Sequence, residues 1–140
     1  MPKPTASARS RPADEKITVN LGVVDLGRID LLVQEGFYSN RADLIRAAVR
    51  AELDRHADAM SQLVERRTLV LGLRRFTAAE LEAVRDAGER LDVRVLGLVA
   101  FDDDVGVELA LQTIGSLTVL GALEARPELR RALAALAPGA

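Results

Sequence analysis

Lys16, Thr18 and Asn20 stand at alternate positions in the segment KITVNL, and Ile17, Val19 and Leu21 fill the places between and after them. An ammonium, a hydroxyl and a carboxamide in one row make a set of hydrogen-bonding groups without a nucleophile and base among them. Such a row recognises; it does not react. A second polar group, Ser39-Asn40-Arg41, stands just ahead of a helical pattern. There Ser39 or Asn40 can cap the helix, and the free N–H groups of its first turn suit an anion such as a phosphate oxygen.

Other candidate chemistry is thin. The chain has no cysteine, so a disulfide, a thiol nucleophile and a cysteine–zinc site are all excluded. His56 is the one histidine and is read as a helix-surface residue. No Ser-His or Cys-His arrangement can form in the half that follows it. Asp102, Asp103 and Asp104 are adjacent carboxylates, but consecutive side chains point in different directions. They read as a solvated turn with Asp104 capping the next helix. Catalysis is not expected, and neither a cofactor nor a metal is.

The recognition residues need elements to hold them. Ile17, Val19 and Leu21 alternate with their polar neighbours, the period of a strand with one apolar and one polar side. Val23, Leu26, Ile29, Leu32 and Val33 then follow a helical stripe, and Gly36-Phe37-Tyr38-Ser39-Asn40 makes a turn. Leu44, Ile45, Ala48, Val49 and Leu53 form a second stripe. His56, Ala57, Met60, Leu63 and Val64 prolong it, which predicts one helix from Arg41 to about Glu65.

A strand and two helices in this span cannot close a core alone, and a single strand leaves both its edges open. The economical solution is a two-fold dimer with an antiparallel ribbon over four helices. Its core is then Ile17, Val19, Leu21, Leu44, Ile45 and Val49. A two-stranded ribbon fits the major groove of duplex DNA.

Over residues 16–55, KITVNL and the turn GFYSNRADLIRAAV resemble the ribbon-helix-helix DNA-binding family of the CopG/Arc/MetJ type. The resemblance implies base-edge contacts from Lys16, Thr18 and Asn20 and phosphate contacts from Ser39, Asn40 and Arg41. A nickel-sensing member would need several His or Cys ligands further along, and these are absent.

The chain has 140 residues and a net charge of −2. Residues 1–56 hold nine Lys or Arg against eight Asp or Glu, and residues 57–140 hold ten against thirteen. Phosphate neutralisation supplies much of DNA affinity, so each dimer should bind modestly and gain from neighbours. With only Phe37, Tyr38, Phe76 and Phe101 as aromatics, stacking on single-stranded nucleic acid is disfavoured. No membrane segment or signal-peptide core is visible, and a cytoplasmic protein is expected. Residues 1–15 read as a disordered arm.

From Thr68 the pattern changes. TLVLGLRRF, VRVLGLVAF and LTVLGALEA place Gly72, Gly97 and Gly121 at intervals of 25 and 24 residues. Helical stretches lie between and after them, at Ala78–Arg90, about Val105–Ile114, and Pro127–Leu136. Thr77 is the expected cap of the first, and Pro127 suits the first turn of the last. The period is similar to that of leucine-rich repeats, although the asparagine of that motif is absent.

The predicted fold is an α+β ribbon-helix-helix dimer module (16–56), a helical extension (57–66), a three-repeat strand–helix domain (67–136) and a short tail (137–140). The second domain is a βαβαβα, solenoid-like parallel sheet, whose first repeat the long helix could cover.

The favoured function is a sequence-specific DNA-binding transcriptional regulator, such as a repressor. Its partners are double-stranded DNA and a second copy, with higher oligomers formed through the repeats. The alternatives are a self-assembling scaffold in which the ribbon only dimerises, or the DNA-binding part of an antitoxin or plasmid-partition system. A folded Thr68–Leu136 counts against the antitoxin, whose toxin-wrapping tail would be disordered.

Overall fold

A computed structural model describes residues 14–137. The disordered arm expected over residues 1–15 falls almost wholly outside them. The chain divides into two compact units, residues 14–63 and residues 64 onward.

In the first unit, α1 spans Val23–Gln34 and α2 spans Arg41–Arg55. Helix α1 ends where expected. Gly36 takes φ +83, and the N–H groups of Gly36 and Phe37 return to the carbonyls of Val33 and Leu32, a left-handed glycine stop. Leu26, Ile29, Val33, Leu44 and Ala47 are half-buried, and no residue from 14 to 63 is fully buried.

The long helix expected from Arg41 to Glu65 is interrupted. His56 leaves helical geometry (φ −101, ψ 17), and its N–H turns back to Leu53. A separate α3 follows over Ala57–Arg66, close to the anticipated extension. The apolar stripe runs through this break because one non-helical residue hardly disturbs the spacing. Thr68, at φ +55, closes α3, with the Leu69 N–H bonded to the Val64 carbonyl.

The second unit alternates β1 (Val70–Phe76), α4 (Ala78–Asp86), β2 (Leu91–Phe101), α5 (Val107–Thr113), β3 (Ile114–Glu124) and α6 (Pro127–Ala134). The strands form one parallel sheet in the order β1-β2-β3. Pairing follows the sequence repeat: Gly72 faces Gly97, which faces Gly121, and Phe76 faces Phe101. The offset between paired residues is 25 along β1–β2 and 24 along most of β2–β3, where the ladder has a shift at Leu91/Asp92.

One apolar core holds the unit together. Val93, Val95, Val99 and Phe101 of β2 pack with Leu81 of α4, Ala110 of α5, and Leu129 and Leu133 of α6. The Phe76 and Phe101 rings stack with centroids 5.1 Å apart, within the range of favourable aromatic pairs. The buried Thr113 hydroxyl donates to the Leu109 carbonyl at 2.7 Å.

The helices are shorter than the sequence pattern suggests. Helix α4 ends at Asp86 because Gly88 adopts φ +68 and the Glu89 N–H bonds back to Val84. Thr77 caps α4 as expected, its hydroxyl accepting from the Glu80 N–H at 3.2 Å. Asp104 does not cap its own helix. Gly106 occupies that position without a side-chain bond, while the Asp104 carboxylate accepts from the Ala78 N–H at the start of α4. Arg75 and Asp102 pair across the same two repeats, so the acidic loop binds one repeat to the one before it. On β1, Val70, Leu71 and Leu73 are exposed.

Candidate nucleic-acid interface

Lys16–Leu21 precedes α1 and belongs to no helix or strand of the single chain. Six alternating residues can form a strand only against a ladder partner, and the one sheet among the described residues is β1-β2-β3. Lys16, Thr18 and Asn20 are exposed, as recognition groups must be. Their apolar neighbours are exposed too: Ile17 by 79%, Val19 by 64% and Leu21 by 44%. Of the other expected dimer-core residues, Ile45 and Val49 are exposed and Leu44 is half-buried.

The start of α2 is built by reciprocal capping. The Asn40 side-chain oxygen accepts from the Asp43 N–H at 2.8 Å, and the Asp43 carboxylate accepts from the Ser39 N–H at 3.2 Å. Asn40 is extended (φ −163, ψ 175), the ordinary geometry of a cap residue. Two donors at this helix start are therefore already engaged. The N–H groups of Arg41 and Ala42, in the first turn, have no intrahelical acceptor.

The Arg41 side chain turns away from the helix end. Its guanidinium donates two bonds to the Asp30 carboxylate of α1, at 2.7 and 2.8 Å. The hydrogen bonding and charge of Arg41 hold the Asp30 carboxyl below its usual range, and Asp30 raises Arg41 in turn. A planar two-pronged pair fixes orientation better than a single contact. It ties α1 to α2 on both sides of the turn carrying Ser39 and Asn40. The sequence reading missed this pairing because nothing in the spacing of residues 30 and 41 announces it.

Two further cations share a helical face without standing out in the sequence. Arg46 and Arg50 lie four residues apart on α2, exposed, and neither has an ion-pair partner among the described residues. His56 points to the Glu52 carboxylate at 3.1 Å. Among the described residues, no group of three or more His, Cys, Asp or Glu is placed to hold a metal, and no helix is long and apolar enough to cross a membrane.

A strand-like segment with alternating polarity, two helices and a capped turn define a class that the family comparison identifies directly. The chain matches the model of the Ribbon-Helix-Helix transcriptional regulator family over residues 12–130, and it belongs to that family. The match covers the first unit and runs through β3 into α6. No curated protein and no solved structure matches the chain.

Proposed function

We propose that the protein is a sequence-specific DNA-binding regulator acting as a dimer, with paired Lys16–Leu21 segments entering the major groove. One observation carries this reading: Ile17, Val19 and Leu21 are exposed in strict alternation with Lys16, Thr18 and Asn20. Antiparallel pairing with a second copy covers the apolar side and supplies the missing ladder. Ile45 and Val49 join the same core, with Leu44 beneath them. The polar side is left free, and alternate side chains on a ribbon reach base edges.

Phosphate contact falls to the turn before α2. The N–H groups of Arg41 and Ala42 lie in the first turn of the helix that Asn40 caps, next in sequence to Ser39, and the helix dipole also favours an anion there. The Arg41 guanidinium serves chiefly by holding α1 against α2. The second unit, with its repeated strand–helix order, serves in assembly beyond the dimer.

The test is binding to duplex fragments, including the protein's own promoter, at two salt concentrations. Fragment-selective, salt-sensitive binding is expected. The Lys16→Ala/Thr18→Ala/Asn20→Ala variant should lose selectivity while remaining dimeric. A variant that binds with undiminished selectivity would remove the ribbon from the reading role.

A scaffold reading draws on one observation, the charge of the first unit. Residues 14–63 hold six Lys or Arg against nine Asp or Glu. Absence of duplex binding at both salts, with an intact dimer, would favour that reading.

A further inference from the structure

Among the described residues no further strand pairs with the outer edge of β1 or of β3, and the two edges match each other. Natural edge strands are commonly blunted by proline, lysine or a covering segment. Val70–Phe76 contains neither proline nor lysine, its two charges, Arg74 and Arg75, stand at its C-terminal end, and Leu71 and Leu73 are exposed by 72% and 65%. On the opposite edge, Leu120 and Glu124 are exposed.

The glycine column gives these edges a direction. A Cβ on Gly97 would lie 2.1 Å from the Gly72 carbonyl oxygen, and one on Gly121 would lie 2.1 Å from that of Gly97. Each glycine therefore accommodates the carbonyl of the strand before it. Gly72 has the same backbone conformation, with φ +127, but nothing lies within 4 Å of its Cβ position. It has the form of a strand that receives a neighbour, and no described residue fills that place.

We propose that the second unit associates end to end with a second copy, β3 of one chain pairing in parallel with β1 of the next. The internal register then sets the contacts. Gly121 meets the next chain's Gly72, just as Gly97 meets Gly121 within a chain. Leu120 falls beside Leu71, and Ala122 beside Leu73.

Charge agrees with this register. Arg75, Ala100 and Glu124 lie in one cross-strand row, so Glu124 meets Arg75 of the following copy, a guanidinium it shares with that copy's Asp102. The flanking helices agree as well. Helix α4 holds Glu80, Glu82 and Asp86 against Arg85, while α6 holds Arg130 and Arg131 against Glu128. The contact is heterologous, so every open assembly retains one free β1 edge and one free β3 edge, and growth continues until the array closes on itself. The association does not depend on DNA reading; its consequence, cooperative occupation of adjacent sites by ribbon dimers, does.

Sedimentation of the full chain across the micromolar range, without DNA, tests it. The wild type should form species beyond the dimer that grow with concentration. Glu124→Arg and Leu71→Lys should each weaken this growth by roughly tenfold with unchanged circular dichroism, since like charges and a desolvated ammonium oppose cross-strand pairing. Mixing Glu124→Arg with Arg75→Glu chains should restore it. A wild type that remains dimeric, or growth unaffected by both Glu124→Arg and Leu71→Lys, overturns the proposal. If Arg75→Glu fails to fold, Glu124→Arg and Leu71→Lys still decide. The Lys16→Ala/Thr18→Ala/Asn20→Ala variant should assemble normally, which separates failure of this contact from failure of DNA reading.

Discussion

At the scale of single residues, the pairing of Asp30 with Arg41 has the clearest consequence. The carboxyl of Asp30 is held below its usual range, chiefly by the hydrogen bonds from Arg41. A group whose folded pKa is depressed contributes stability above its unfolded pKa and loses it as pH falls through the folded value. Asp30→Asn should therefore melt below the wild type at neutral pH. The difference should vanish in acid below the ordinary carboxylate range, as thermal scans at both pH values would record. A constant difference would assign Asp30 a steric role. Both side chains are largely exposed, so the effect is small in stability and larger in the geometry of the turn. Their pairing was not legible from the sequence, because ion pairs between helices depend on rotation about each axis.

At the scale of elements, the glycine column is the most specific feature. Its interval was readable, since three glycines at steps of 25 and 24 stand out beside matching apolar runs. The reason for glycine was not. It lies in the approach of the preceding strand, which only the assembled sheet reveals. At concentrations below end-to-end assembly, Gly72→Ala should incur backbone strain alone, about 1–3 kcal/mol. Gly97→Ala adds a Cβ 2.1 Å from the Gly72 oxygen, an overlap the two strands can relieve only by separating. Denaturant unfolding should place Gly97→Ala well below Gly72→Ala in stability. Equal losses would show that φ alone requires glycine. Helix ends divided similarly: Thr77 and Pro127 act where the sequence placed them, while His56 and Gly88 stop helices that the apolar spacing carried onward.

At the scale of the molecule, the two units differ in what holds them. The second has its own core of fully buried side chains, whereas no residue from 14 to 63 is buried. A unit that gains its core from a second copy melts at a temperature that rises with concentration. The full chain should accordingly show one transition that shifts upward with protein concentration. The Ile17→Ser variant, which weakens the shared core, should lower that transition. A concentration-independent transition would exclude a dimer-dependent first unit.

Charge makes a second prediction at this scale. The first unit has three more acids than bases, while residues 1–13 carry Lys3, Arg9 and Arg11 and no acid. Deleting residues 1–13 should weaken DNA binding and flatten its salt dependence by roughly one unit of slope for each phosphate the arm neutralises. An unchanged slope would leave phosphate neutralisation wholly to the ribbon unit.

The sequence by itself determined the alternation of Lys16–Leu21, the helical stripes, the family resemblance and the three-fold strand–helix period, because these depend on the order and spacing of residues along the chain. The tertiary structure alone decided that Arg41 is held by Asp30, that Asp104 serves the preceding repeat, and that Gly72 opens onto an edge no described residue fills. Each of these depends on which segments lie side by side, and the distance between two side chains is set by packing rather than by their separation in sequence.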